Sequence, residues 1–393
     1  MAQRKFDKLI QPAMGQFGRN EWAILGTVCA KIRLLASALA TQLAPGLHVA
    51  YADADHHGEI EAESKAFFLE FTDKIRFSRF DYGGPQSDWQ RRAHFCDADL
   101  VLINGNHFGG SRQIVALDRR KFDSLQRKTG QLSQVDLFLT DSRDAHFAQP
   151  AELPDALKAQ LPGWAATPVL DCSDIAGIAA FLEARCPPPP LAALILAGGK
   201  STRMGTDKAM LDYHGMPQWQ YLAGLLQALH LQDIRISCRA GQEPAFGAFP
   251  VVTDTFLELG PTGAILSAFR QEPDTAWLVL ACDLPLMDAA TLRYLLAQRR
   301  RSALATAFRQ AYAPAAWAHG TTGAHAGAPE PLIAIWEPRS YPLLLQLLAQ
   351  GVSMPRALLT HAQAHLLDAP DPLALLNVNT PEEYKAVCRM LAQ

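Results

Sequence analysis

Short apolar runs that stop at glycine or acidic residues alternate along this chain with stretches whose apolar positions recur at helical spacing. Runs of the first kind predict buried strands and stretches of the second kind predict helices. In the first half, strands are expected over residues 21–26, 47–52, 98–104, 114–118, 135–141 and 167–171, with helices near 31–43 and 175–184. Residues 1–18 show no clear period and read as an irregular lead-in. In the second half, strands are expected over 194–196, 234–239, 277–283 and 330–336, a short strand and turn over 210–217, and helices over 218–229 and 343–348. Pro217 fits the first turn of its helix, where a missing N–H costs nothing. Strands alternating with helices argue for an α/β protein built on parallel sheets covered on both faces.

Cys186-Pro187-Pro188-Pro189-Pro190-Leu191 interrupts the alternation. Consecutive prolines neither continue a helix nor pair inside a sheet, and they favour a stiff extended spacer. Two domains are therefore expected, 1–185 and 192–393, joined by a linker over 186–191. The chain has 393 residues, enough for two cores of ordinary size.

Composition narrows the classes. Nearly half of the residues are apolar and the net charge is −3, which argues against disorder and against bulk attraction to nucleic acid. No run approaches the length that spans a bilayer, so a cytoplasmic protein without a membrane partner is expected. The seven cysteines are scattered and lack C-x-x-C spacing, so reduced thiols are expected and a zinc site is not.

The sharpest candidate chemistry lies where the run Leu194-Ile195-Leu196-Ala197 breaks at Gly198-Gly199, ahead of Lys200, Arg203 and Lys208. Paired glycines let backbone N–H groups approach an anion, and the cations neutralise phosphoryl charge. An ordinary strand-to-helix turn with solvated basic residues is the plain alternative. Asp283 ends the apolar run from Trp277, at the strand edge where open α/β sheets bind ligands. A single carboxylate there suits Mg²⁺, which keeps water and phosphate oxygens for its remaining ligands, although an aspartate can also merely cap the next turn.

Elsewhere the signals are weaker. The turn around Lys31 has the context of a P-loop, but Leu25, Ala30 and Ile32 stand where glycines and a hydroxyl residue belong, so no working NTPase is expected. Asp53-Ala54-Asp55-His56-His57 offers oxygen and imidazole ligands without ligand spacing, and reads as a polar loop or a metal site. Residues 311–328 read as a surface loop that lies over a second substrate, with His325 a minor candidate base. Thr380-Pro381-Glu382-Glu383 marks a helix start, with Thr380 as N-cap and Glu383 closing a capping box.

The string Leu196-Ala197-Gly198-Gly199-x-Ser201-x-Arg203-Met204-Gly205-x-Asp207-Lys208 resembles the signature of nucleotidyltransferases related to molybdenum cofactor guanylyltransferase. The likeness runs from about residue 191 to the end, with Asp254 before Gly260-Pro261-Thr262-Gly263, Cys282-Asp283-Leu284-Pro285 and Asn377-Val378-Asn379-Thr380-Pro381 in the family's order. It implies a Rossmann-like doubly wound domain that joins GMP from GTP to the phosphate of molybdopterin and releases pyrophosphate. Leu196, Ala197, Gly198, Gly199, Lys208, Ser237, Asp254 and Asp283 would bind the nucleotide. Arg203, Lys208 and Asp283 would be catalytic, Asp283 would hold Mg²⁺, and Asn377 and Asn379 would face the acceptor. Ser237 stands where the family commonly has an asparagine, which puts that contact in doubt. Ala-Gly-Gly in place of Ala-Ala-Gly resembles guanylyl transfer over cytidylyl transfer.

The first half weakly resembles a GTP-binding adaptor of the same biosynthesis, with its phosphate loop degenerate, so a second α/β domain is implied and no activity. A scaffold, a docking surface for molybdopterin or for a target enzyme, and a decayed domain stay open for it, with a molybdoenzyme or its chaperone as a candidate partner of the protein. Two alternatives remain beside guanylyl transfer. One is a cytidylyl or other nucleotidyl transfer to a different phosphorylated acceptor; the other is a carrier of the molybdenum cofactor.

Overall fold

A computed structural model describes residues 9–54, 67–74, 76–128, 130, 132–161, 163–199, 207–310, 327–361 and 364–392. The chain divides into two units, one formed by Ala13–Pro187 and the other by Pro188–Gln393 together with Met1–Pro12.

The N-terminal unit contains β1 (Glu21–Leu25), α1 (Cys29–Leu43), β2 (Val49–Ala52), β3 (Leu69–Asp73), β4 (Ser78–Tyr82), α2 (Asp88–Phe95), β5 (Leu100–Asn104), β6 (Arg112–Ala116), α3 (Phe122–Arg127), β7 (Val135–Thr140), α4 (Asp155–Lys158), β8 (Val169–Asp171) and α5 (Ile175–Glu183). Among the described residues, six of these strands form one sheet in the order β2-β5-β1-β6-β7-β8, every pair parallel. Both faces are covered, as a parallel sheet requires. Trp22, Ile24, Leu100 and Leu102 pack with Ile32, Leu39 and Leu182 on one face, while Leu25, Val115 and Phe138 pack with Leu125 and Leu157 on the other. The alternation of Ile24 and Leu25 between two cores is the period-two pattern of a strand buried on both sides.

Strands β3 and β4 form a separate antiparallel ribbon that hydrophobic patterning did not reveal. Its aromatic residues are largely exposed, Phe71 at 57% and Phe80 at 56%, and the half-buried positions of β3 are Glu70 and Thr72, so apolar residues do not mark its less exposed face.

The second unit contains β9 (Leu191–Leu196), α6 (Gln218–Ala228), β10 (Ile234–Cys238), β11 (Val251–Thr253), α7 (Pro261–Gln271), β12 (Ala276–Ala281), α8 (Ala289–Ala297), β13 (Ala305–Arg309), β14 (Pro329–Trp336), α9 (Ser340–Ala349), α10 (Pro355–His361), β15 (His365–Leu367) and α11 (Pro381–Leu391). Its strands order as β11-β10-β9-β12-β14-β13-β15. The β11-β10-β9-β12 half is parallel, and β14 runs antiparallel to both β12 and β13. Alternate residues of β9 feed two cores: Ala193 and Ile195 pack with Trp219, Leu222 and Leu292, whereas Ala192 and Leu194 pack with Ile265, Phe269 and Leu344. This is the doubly wound α/β architecture expected for both halves, the second with a mixed sheet.

Local differences have physical causes. The stretch expected as a strand over 210–217 is a 3-10 turn at Lys208–Met210 followed by one bridge between Asp212 and Pro217. Tyr213 is buried there by packing with Leu376, Val378 and Val387 rather than by sheet pairing. Pro217 is the extended N-cap of α6, one residue ahead of the first turn. Leu191 is already the first residue of β9, and Cys186 is buried in the N-terminal core.

Candidate active site

Strand β9 delivers Leu196 to the carboxyl edge of the sheet, where Ala197 N–H still donates to the Ser237 carbonyl of neighbouring β10 across 2.9 Å. The chain then turns out at Gly198 and Gly199. A Cβ on Gly198 would lie 3.4 Å from both Cys238 Cα and the Arg239 amide, and 3.5 Å from Asp254 Oδ2. These are ordinary van der Waals distances, and they place the loop backbone beside Asp254. The residues from Lys200 to Thr206, Arg203 included, lie outside the described residues, as do Asp55, His56, His57 and His325.

Leu196, Ala197, Gly198, Gly199, Lys208, Ser237, Asp254, Asp283 and Asn379 line one cleft of about 690 Å³. Asn377 does not line it; its side-chain oxygen is buried and has no hydrogen-bond partner among the described residues. Lys208, on the 3-10 turn capped by Asp207, donates to Asn379 Oδ1 across 2.7 Å and lies 3.4 Å from Asp283 Oδ2. Asn379 reaches this point because the preceding Val378 N–H donates to the Asp283 carbonyl at 2.8 Å, while the Val378 side chain anchors among Tyr213, Leu376 and Val387. Glu383 closes the capping box of α11 and accepts from the N–H groups of Asn379 and Thr380 at 2.6 and 3.1 Å.

Asp283 follows the fully buried strand β12. Its side chain is 19% exposed, and its Oδ1 is buried with no hydrogen-bond partner among the described residues. Burial pushes its carboxyl up from the usual carboxylate range, and the Lys208 ammonium pulls the other way. The loop after it is held by three side chains from one segment. Gln218 Nε2 donates to the Leu284 carbonyl at 3.0 Å, His214 Nε2 lies 2.8 Å from the Pro285 carbonyl, and the Tyr221 hydroxyl donates to the Met287 carbonyl at 2.9 Å.

An orphaned carboxylate oxygen in a phosphate-sized cleft fits a hard divalent cation, which takes oxygen ligands and completes its shell with water or phosphate. Among the described residues, the group of three close His, Cys, Asp or Glu ligands is Asp141, Asp171 and Cys172 in the other unit. A cation at Asp283 would therefore take few protein ligands, as Mg²⁺ does beside a triphosphate.

On the opposite wall, Ser237 donates to Asp254 Oδ1 at 2.9 Å. Burial raises the Asp254 carboxyl, opposed by that hydrogen bond and by the Arg239 charge. Arg239, Phe256, Leu257, Glu258 and Leu332 also line the cleft and were missed in the sequence. Glu258 has a positive φ of 61°, rare for a residue with a side chain, and nothing in the local composition announces it.

In the N-terminal unit, Lys31 Nζ is held by Asp144 at 2.9 Å and lies 4.8 Å from the centre of the Phe147 ring. Asp53 accepts from the Tyr51 hydroxyl and from Asn104 Nδ2, both at 2.8 Å.

The MobA-like NTP transferase domain family matches residues 193–366. The molybdenum cofactor biosynthesis bifunctional protein of Synechocystis sp. is 32% identical over 197 residues, which are 50% of this chain and 53% of that protein. The molybdenum cofactor guanylyltransferase of Xanthomonas euvesicatoria is 35% identical over 117 residues, 30% of this chain and 59% of that protein. The guanylyltransferase of Pseudomonas putida strain GB-1 is 31% identical over 199 residues, 49% of this chain and 95% of that protein. The chain thus spans little more than half the length of the first two relatives and nearly all of the third. Among the described residues no helix is long and apolar enough to cross a membrane.

Proposed function

The chain belongs, through a domain filling about half of its length, to the MobA-like NTP transferases that include molybdenum cofactor guanylyltransferase, and on that premise we propose that it transfers GMP from GTP to the phosphate of molybdopterin. The observation that carries this reading is the position of Lys208, between Asp283 and Asn379 in the same cleft as the Gly198-Gly199 turn.

In this mechanism the backbone of Leu196, Ala197, Gly198 and Gly199 receives the triphosphate, and Lys208 and Arg203 neutralise its charge. A phosphate oxygen of the acceptor attacks the α-phosphorus, a P–O bond forms, the bond to the bridging oxygen breaks, and pyrophosphate leaves with the electron pair. The nucleophile is already anionic, so positioning and charge neutralisation supply most of the rate and no strong base is needed. Asp283 would hold Mg²⁺, which when bound supplies positive charge at the phosphate oxygens. Asp254 accepts donors on the base edge, held in place by Ser237. Asn379 orients Lys208 and faces the acceptor.

The test is pyrophosphate release from the full chain incubated with Mg²⁺, molybdopterin and each nucleoside triphosphate in turn. Release with GTP is expected, and Asp283→Ala should abolish it while leaving the circular dichroism unchanged. No release with any donor would overturn the transferase reading. Preference for CTP would replace the guanylyl assignment.

A further inference from the structure

Outside the nucleotide cleft, a second set of reactive groups gathers at the carboxyl edge of the N-terminal sheet. Cys29 follows β1, Asp53 follows β2 and His107 follows β5, and these three strands are adjacent in the order β2-β5-β1. Ligands of open parallel sheets bind at this edge. Cys29 Sγ lies 3.3 Å from His107 Nε2, and Asp53 Oδ1 lies 3.7 Å from the same nitrogen. We propose that Cys29, His107 and Asp53 form a thiol acyl-transfer site that takes an activated carbonyl, an ester or a thioester.

Four features support a nucleophile here. Cys29 is the first residue of the 15-residue helix α1, and the N-cap Val28 supplies no side-chain cap. In the first turn the Lys31 N–H donates to the Val28 carbonyl at 3.0 Å, and the positive end of the helix dipole favours an oxyanion formed beside the sulfur. Asn106 Nδ2 donates to the Thr27 carbonyl at 3.0 Å and to Cys29 Sγ at 3.4 Å, so a fixed donor already points at the sulfur. Lys128 Nζ donates to the Asn106 and Gly105 carbonyls at 2.8 and 3.2 Å and fixes the loop that carries His107. Access is open, since Cys29 is half-buried and Val28 is 40% exposed.

A shared cation is the less favoured use of these groups. Among the described residues, the ligand atoms gathered within 4.8 Å of one another belong to Asp141, Asp171 and Cys172, not to this trio. A thiol 3.3 Å from an imidazole nitrogen suits proton transfer between the two instead, with Asp53 beside the nitrogen that takes the proton.

The step balances without an oxidant. The Cys29 thiol gives its proton to His107 Nε2 as the sulfur attacks the carbonyl carbon and forms an S–C bond. The bond to the leaving oxygen or sulfur breaks with its electron pair, and the leaving group takes the proton from His107. Water then adds to the thioester, the carboxylic acid departs and the thiol is restored. Cys29 and His107 are the catalytic residues; Asp53, beside the imidazolium, and Asn106 are positioning residues.

The test is acylation of the full chain by p-nitrophenyl acetate, followed by nitrophenolate release and by peptide mapping of the acetylated cysteines. Cys96 and Cys388 are half-buried as well and serve as controls within the same molecule. Cys29 is expected to acylate about 100-fold faster than either control, the gain that a placed general base supplies. His107→Gln should remove that advantage, and Cys29→Ser should remove the nitrophenolate burst. Equal rates at the three cysteines would overturn the proposal, and so would an undiminished Cys29 rate in a folded His107→Gln protein. If His107→Gln fails to fold, the comparison among cysteines of the unaltered chain decides.

Discussion

The ammonium of Lys208 donates to the side-chain oxygen of Asn379 across 2.7 Å, joining residues 171 positions apart in the chain. The same ammonium lies 3.4 Å from Asp283 Oδ2, so one cation connects the turn after the Gly198-Gly199 loop, the end of β12 and the start of α11. If Lys208 stabilises charge on the transferring phosphoryl group, Lys208→Met should lower kcat/KM by roughly 100- to 1,000-fold, as loss of a charge-stabilising donor does. Asn379→Ala should cost less by itself. Because Asn379 orients Lys208, the double variant should lose less than the sum of the two single losses, which a double-mutant cycle on pyrophosphate release measures. Full additivity would separate the two roles.

The opposite wall predicts a pH dependence. The Asp254 carboxyl is raised by burial and lowered by the Ser237 hydrogen bond and the Arg239 charge, with a net rise. An ionised carboxylate offers acceptors alone to the two donors of a base edge, whereas the protonated group places an O–H donor against one of them. Nucleotide affinity should therefore weaken as pH falls through a value above the 3.8 of an ordinary aspartate. Ser237→Ala removes an interaction that favours the ionised form, so the midpoint should move to higher pH. Titrating the GTP dissociation constant against pH for both proteins checks the sign, and an affinity that acid does not weaken would show that Asp254 does not meet the base.

The parts of the site visible in the sequence are those fixed by local chemistry. Gly198-Gly199, Asp283 at the end of an apolar run and the Thr380 to Glu383 capping box each need particular residue types over a few positions. The alternation of strands and helices and the two covered faces followed from apolar runs and helical spacing, because buried parallel strands leave continuous apolar runs, whereas the order of the strands in each sheet has no such local mark. What stayed hidden depends on contacts between distant segments. The props on the Asp283 loop from His214, Gln218 and Tyr221 are backbone-carbonyl contacts with no sequence spacing of their own. The pairing of Cys29 with His107 spans 78 positions and appears only when β1 and β5 lie side by side. The ribbon of β3 and β4 was silent because its aromatic residues face outward and burial does not sort them.

A packing prediction concerns Gly263 in α7. A Cβ there would sit 2.2 Å from the Phe256 carbonyl oxygen, a backbone atom that cannot swing aside. Gly263→Ala gains helix propensity but forces Phe256 away, and overpacking of this kind costs about 1–3 kcal/mol. Phe256 lines the cleft between Asp254 and Gly260, so the displacement should also raise the KM for the nucleotide. Thermal unfolding and steady-state kinetics on the same preparation test both effects. Unchanged stability would mean that the segment 255–260 yields freely.

Glu383 offers a way to separate a structural cap from a catalytic support. Its Oε2 accepts from the N–H groups of Asn379 and Thr380, and its own N–H donates to Thr380 Oγ1 at 3.3 Å. Loss of a cap costs about 1 kcal/mol, which Glu383→Ala should show as a modest fall in Tm. The same change frees the backbone of Asn379, and with it the oxygen that holds Lys208. A fall in kcat larger than the change in KM is therefore expected, since Lys208 is assigned to the transition state. Glu383→Gln keeps an acceptor oxygen and completes a capping box, so it should restore most of the kcat. A lowered Tm with unchanged kcat in Glu383→Ala would show that Val378, bonded to the Asp283 carbonyl, positions Asn379 without help from the cap.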